Sequence, residues 1–399
     1  MTVSVLDPVP ALPINPFKDY RYYALAYFTV TGEVVDEIPL SGLPTWSQMI
    51  NDTGSWTIQS QLGADGFDSG GCLSKQHLRS ITDPWRFSVA LCWGTGARTD
   101  YIAQAGPITT RASLSTNGGT TPPMLKIGGV GAWGVLSKTL QLASTWPGVN
   151  LTATGGADTN YTDSLWGIAT DILTNAKARN PIPLDIPSFT PQTTNVRNYF
   201  GYDLTSAGQR LQELTQVIGG PDILLKPYFF DNNHIHHNSM VGTPTLLTSG
   251  NPIFFDYPGG ILEILESTDA SGQSTVTFEK GNGVEYAMMW ARSIDTTLTS
   301  AGWPLLESSD ISHSDVTEQT TLQQWADGTQ ALNGRGVTTY SVTAKMDDPN
   351  SPFGSFDPGA IGNYNIQDHD WLPDGLLTQR IIGMQQGTQD FQYVHLIGT

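Results

Sequence analysis

The stretch from Gly201 to Phe230, GYDLTSAGQRLQELTQVIGGPDILLKPYFF, constrains the chain most, because it spells a helix, its termination and a strand in succession. Ser206 followed three residues later by Gln209 has the pattern of a reciprocal capping box, and Ala207, Leu211, Leu214 and Ile218 then fall on one helical face. Gly219 and Gly220 stop the helix, since glycine readily takes the left-handed conformation that a helix end favours. Pro221 cannot continue the helical ladder, and Ile223, Leu224 and Leu225 restart as an apolar strand. The stretch predicts a helix packed beside a sheet, with Ser206, Leu211, Leu214, Ile218, Gly219 and Gly220 as its structural residues.

At 399 residues the chain exceeds what one hydrophobic core usually organises, so two to four domains are expected. Charged residues make up only 14%, whereas 42 Gly and 25 Pro mark a turn-rich, β-leaning composition and 11 Trp supply large apolar anchors. The 37 acidic residues against 19 basic give a formal charge of −18, which repels phosphate backbones and argues against specific nucleic-acid binding. Cys72 and Cys92 are too few for a disulfide framework or a cysteine-only metal site, so a reduced, cytosol-assembled protein is expected. The proline-broken N-terminus lacks the basic segment of a signal peptide. No stretch approaches the roughly twenty apolar residues of a membrane span.

Taken in order, residues 1–18 read as an extended arm, with prolines at 8, 10, 13 and 16 preventing regular pairing. RYYALAYFTV and EVVDEIPL read as a hairpin turning at Thr31-Gly32. WTIQSQL, RFSVALCW and DYIAQAGPIT follow as further strands, and Cys92 within them is expected in the core. STNGGTTPP, 115–123, is a linker. Beyond it, Asp163 is placed to cap a helix carrying Leu165, Ile168, Ala169, Ile172, Leu173 and Ala176 at helical spacing. PIFFDYPGGILEILEST reads as a glycine-interrupted strand pair, and a helix follows between 310 and 334, where Asp315 and Glu318 form a capping-box pattern and Leu322, Trp325 and Ala326 share a face. Strands then run to the end.

The expected fold is therefore mainly β with an α/β insertion, an α+β chain in four parts. These are the arm 1–18, a first barrel-like β domain over 19–117 with 229–265, an inserted α/β domain with two helices over 118–228, and a second barrel-like β domain over 266–399 with a helical insertion at about 310–334.

Candidate chemistry is sparse. His234, His236 and His237 crowd together in DNNHIHHN beside Asp231, and on a strand His234 and His236 would share a face able to hold a metal with a carboxylate. No ligand follows at helical spacing and the Asn residues favour an exposed turn, so a polar hairpin tip or subunit contact is the expected role and no metal is assigned. No Gly-x-Ser-x-Gly elbow occurs, and KIGGVGAWG, 126–134, lacks the Lys-Ser/Thr ending of a phosphate loop. Asp347 and Asp348 sit in a polar turn beside Pro349. Neither a catalytic residue nor a cofactor is expected. Tyr20, Tyr22, Tyr23, Tyr27, Phe28, Trp290, Trp303 and Trp371 suit a core or interface more than a sugar platform, although a carbohydrate-binding or glycan-hydrolysing extracellular β-sandwich is the alternative they keep open.

Four stretches, NDTGSW at 51–56, YIAQAGPIT at 101–109, LQELTQVIGGPDILL at 211–225 and RIIGMQQ at 380–386, stand in an order and spacing that resembles the tail-hub proteins of long-tailed phages, and more narrowly the minor tail proteins of actinobacteriophages. The resemblance implies a homotrimer whose β units alternate around an axis as a pseudo-six-fold ring at the virion tail tip. It implies as partners a distal tail protein, the C-terminus of a tape-measure protein and other minor tail proteins or fibres. It implies assembly in the host cytoplasm and a share in host attachment and genome ejection. Some relatives carry cell-wall hydrolase domains after the hub region, whereas this chain ends with its last strand at Thr399.

Overall fold

A computed structural model describes residues 20–62, 73–114, 123–143, 158–217, 219–312, 314, 316–386 and 393–398. The expected arm at 1–18, Cys72, most of the linker, Ile218 and Asp315 lie outside them. The fold is mainly β with helices between strands, and no closed barrel forms among the described strands. The chain divides into two compact units, 1–263 with 342–398, and 264–341. Hydrogen bonding within the first unit joins strands from near the end of the chain to strands near its beginning.

The first unit begins with β1 (Arg21–Phe28), β2 (Val34–Ile38), β3 (Thr45–Met49), β4 (Ser55–Gln61), helix α1 (Lys75–Ile81), β5 (Phe87–Gly94), β6 (Tyr101–Leu114) and β7 (Met124–Val130). β1 lies between β2 and β5, pairing antiparallel with β5 along its whole length from Arg21 opposite Gly94 to Phe28 opposite Phe87. Alternate residues Tyr23, Leu25 and Tyr27 point into one core with Ala90, Cys92, Ile102, Ala105 and Ile235. Burial raises the Cys92 thiol well above its ordinary range, as suits a core cysteine. The glycines of β7 permit close packing: a Cβ on Gly129 would come within 2.2 Å of the Trp56 ring, which is fully buried.

The α/β segment follows as α2 (Trp133–Leu136), β8 (Thr159–Asp163), α3 (Leu165–Arg179), β9 (Leu184–Asp185), β10 (Asn195–Tyr199), α4 (Ala207–Thr215), β11 (Ile223–Phe229) and β12 (Ile235–Val241). Leu165, Ile168, Ile172 and Leu173 of α3 share one apolar core with Leu211 and Leu214 of α4 and Ile223 of β11. The cap of α3 is Ser164, whose hydroxyl accepts from Gly167 N at 3.1 Å, and not Asp163 as expected. Asp163 is held one residue upstream, its Oδ1 accepting from Ser164 N at 2.6 Å and from Gln192 N at 2.8 Å. The hairpin β11–β12 is joined by β9, which runs parallel to β12.

β13 (Ile253–Tyr257) was expected to pair with β14 (Ile261–Asp269) but instead runs parallel to a strand more than a hundred residues later. β14 takes the chain from the first unit into the second. There β15 (Val276–Lys280) is the central strand, antiparallel to β16 (Trp290–Ile294) and, after the short helix α5 (Thr296–Ser300), parallel to β17 (Glu307–Asp310). Helix α6 (Gln319–Asn333) covers one face of this sheet with Leu322 and Ala326 against Ala291. Its first residue is preceded by Glu318, which makes no side-chain cap bond, and Trp325 is only half-buried.

β18 (Val337–Lys345) returns the chain to the first unit, which ends with β19 (Ile361–Ile366), β20 (Gly375–Gln385) and β21 (Tyr393–Gly398). β19 is the parallel partner of β13 and the antiparallel partner of β20. β20 in turn pairs with β3, Gly383 opposite Met49, so the sheet runs β21-β20-β3-β4-β7-β6-β5-β1-β2. Among the described residues no helix is long and apolar enough to cross a membrane.

Candidate functional site

The helix stop after α4 positions an acid that ties distant parts of the chain together. Ser206 caps α4 by accepting from Gln209 N at 3.2 Å, while the Gln209 side chain turns forward to Glu213 at 3.2 Å, so the box is one-sided. The helix ends at Thr215, Leu211 and Leu214 are buried, and Gly219 takes the left-handed conformation at φ +72°. Gly220 is pressed against the helix end, where a Cβ would meet Leu214 O at 2.2 Å. The turn delivers Asp222 immediately before β11.

Asp222 joins three other segments of the chain. Its Oδ1 accepts from Asn51 Nδ2 at 3.2 Å, and its Oδ2 accepts from Leu246 N at 3.0 Å and from the Arg380 guanidinium. Its backbone N–H donates to Pro244 O at 2.8 Å. Asn51, in a left-handed turn at φ +60°, clamps the next residue on both sides: Ile223 N donates to Asn51 Oδ1 at 2.7 Å and Asn51 N donates to Ile223 O at 2.8 Å. The Arg380 and Asp222 side chains are 22% and 17% exposed, so water screens the pair only partly.

A second tie lies along the same strands. Lys226 of β11 reaches Asp357 Oδ1 at 2.6 Å, donates to Ile102 O at 3.2 Å and lies 3.7 Å from the centre of the Tyr101 ring. Tyr101 Oη donates to the same Asp357 oxygen at 2.8 Å. Burial holds Lys226 below the ordinary lysine range against the opposing pull of Asp357. Burial, then the Asp357 charge, raises Tyr101 well above the ordinary phenol range. This group floors an open cleft of about 330 Å³ that also has Arg98 and Tyr228 on its walls. Further along, Gln104 Nε2 donates to Ser47 O at 2.6 Å, beside Gly54 and Gly131, where no side chain fits.

The four stretches that carried the resemblance therefore meet in space. Asn51 and Arg380 both donate to Asp222, and Gln104 of YIAQAGPIT holds the strand leading into the Asn51 turn. Each charged group is engaged by its neighbours, which makes the arrangement a clasp between chain segments. Sequence reading saw the stretches but assigned no role to Asp222, Lys226 or Arg380. For Lys226 the available signal was a single cation inside the apolar run ILLKPYFF.

The three histidines are turned to three different partners. His234 Nδ1 lies 2.9 Å from the Asp231 carboxylate at the hairpin tip, and His236 Nδ1 lies 3.0 Å from Asp185. His237 alternates to the opposite face of β12, where it is buried and its Nε2 lies 3.2 Å from Tyr27 Oη. Burial, then the neighbouring His236, lowers His237 to about 4, with Asp185 opposing. Among the described residues no group of three or more His, Cys, Asp or Glu is placed to hold a metal ion. The hairpin tip packs on the turn at Gly32, with Ile235 N donating to Gly32 O at 2.9 Å. Tyr22, Tyr23 and Tyr27 are buried, whereas Trp290, Trp303 and Trp371 are exposed.

No family model matches the chain, and no curated protein matches it. Its fold is nonetheless that of solved phage tail proteins. It is similar to the 43 kDa tail protein of prophage MuSo2 from Shewanella oneidensis, with a TM-score of 0.56 over 95% of this chain and 98% of that one at 9% identity. It is also similar to a tail protein from Neisseria meningitidis, with a TM-score of 0.53 over 94% and 96% of the two chains at 12% identity. At such identities the likeness is one of fold.

Proposed function

We propose that the chain is a non-enzymatic structural subunit of a phage tail tip, a hub that trimerises into a ring linking the distal tail to tip proteins or fibres. The observation that carries this reading is the end-to-end correspondence with the Shewanella tail protein, 95% of one chain against 98% of the other. A shared module would match in part; a match over both whole chains supports a shared architectural role. The clasp at Asp222 fits it, because it locks the end of the chain to its beginning with groups that satisfy one another, as a framework requires. Partners on this reading are a distal tail protein, the C-terminus of a tape-measure protein and other minor tail proteins or fibres, and the subunit resides in the virion after assembly in the host cytoplasm. A net charge of −18 suits a channel wall that does not retain passing DNA. Quantitative mass spectrometry of purified particles tests the ring. Three copies per tail are expected, and a copy number that is not a multiple of three contradicts it.

A further inference from the structure

The second unit carries a sheet face that its helix leaves open. In β15 and β16, Thr277, Glu279 and Ala291 point toward α6, where Thr277 Oγ1 donates to Gln330 Oε1 at 3.0 Å and Glu279 Oε1 accepts from Thr329 Oγ1 at 2.8 Å. The alternate residues point the other way. Register places Phe278 directly opposite Arg292 and Lys280 directly opposite Trp290, so two aromatic rings occupy one diagonal of a square and two cations the other. The ring centres of Phe278 and Trp290 are 6.1 Å apart, and Trp290 is 55% exposed. Neither the Lys280 ammonium nor the Arg292 guanidinium has an ion-pair or hydrogen-bond partner among the described residues, and Ile294 extends the apolar strip along β16.

We propose that this face binds an acidic polysaccharide, with sugar rings laid on Trp290 and Phe278 and sugar carboxylates held by Lys280 and Arg292. The inference does not depend on the tail-hub reading. Aromatic faces accept the apolar C–H side of a pyranose, and an exposed tryptophan supplies the largest such surface. Charge complementarity selects the rest of the ligand. The chain as a whole has 37 acidic against 19 basic residues, yet two unpaired cations stand together here, and the strand register places one acid, Glu307, on this face, opposite Val276. A single-stranded nucleic acid would also stack and pair with cations, and its binding is the competing outcome of the test. A uronate chain carries its carboxylate on the sugar ring itself, and a guanidinium binds such a carboxylate with two hydrogen bonds.

The test is isothermal titration of the full chain with an oligogalacturonate, its methyl-esterified neutral form, and a dT oligonucleotide. Binding of the acidic oligosaccharide is expected, weakening at least tenfold in Trp290→Ala and in Arg292→Glu and weakening with added salt, while the neutral form binds at least tenfold less tightly. Both positions are exposed, and an unchanged melting temperature of each variant verifies that folding is intact. Absence of binding, binding that survives Trp290→Ala, or equal binding of dT overturns the proposal, the last in favour of a nucleic-acid surface. A concentration-dependent dimer that Trp290→Ala abolishes also overturns it, because the face is then a contact between copies.

Discussion

The Arg380 guanidinium and the Asp222 carboxylate form an ion pair that joins β20 to the turn before β11, across 158 positions of sequence. The same carboxylate also receives Asn51 and Leu246, so its removal strands three donors at once. Asp222→Ala is expected to destabilise the first unit by about 3 kcal/mol or more, the cost of leaving partly buried donors and a guanidinium without an acceptor. Arg380→Ala alone should cost less, and the double variant should show coupling of about 1–3 kcal/mol in urea unfolding. Strictly additive losses would show that the pair contributes nothing.

How far this was legible beforehand depends on sequence distance. The α4 cap, the buried Leu211 and Leu214 and the glycine stop are local devices, and residues a few positions apart suffice to read them. The parallel pairing of β13 with β19 is not local. Its apolar run next to a Gly-Gly turn looked like half of a hairpin, since nothing in Ile253–Tyr257 encodes a partner at Ile361–Ile366. The histidine trio reads from sequence as a polar hairpin tip or subunit contact, with a shared face for His234 and His236 only if the segment is a strand. What sequence could not supply was the different acid beside each of His234 and His236 and the Tyr27 hydroxyl beside His237. Lys226 was missed because burial of a lone cation requires an acid from far along the chain, here Asp357.

Folding stability should depend on pH through His237. Its unfolded form takes up a proton near 6.5, whereas the folded form resists until about 4. Between these values the unfolded state binds more protons, so the stabilisation is complete above about pH 6.5 and declines as pH falls toward 4, by about 3 kcal/mol in all. The groups facing it, Asp185, His236 and Tyr27, are unchanged in His237→Gln. That variant should lose this part of the slope in denaturation measured from pH 7 to pH 4. An identical slope in both proteins contradicts the assignment.

The two glycines after α4 should behave differently. Gly219 has open space around its Cβ position and only its φ of +72° resists a side chain, so Gly219→Ala is expected to cost about 1–2 kcal/mol and Gly219→Asn less. A Cβ at Gly220 meets the Leu214 carbonyl, so Gly220→Ala must displace the end of α4 and should cost more. Thermal melts of the three variants rank them.

Leu214 is 1% exposed within the apolar core that α3, α4 and β11 share. Leu214→Asp buries an unpaired carboxylate there and should abolish folding of that segment, read as loss of hydrogen-exchange protection in α3 and α4 and exclusion from particles. Retained protection would place the core elsewhere.

The central claim, a trimeric tail-tip hub, is tested most directly by cryo-electron microscopy of particles that contain the chain. Density for three copies in a ring at the tail tip, with β20 clasped to the Asp222 turn inside each copy, is the predicted result. Density for this chain along the tail tube, in the head, or in a ring of another symmetry would contradict it.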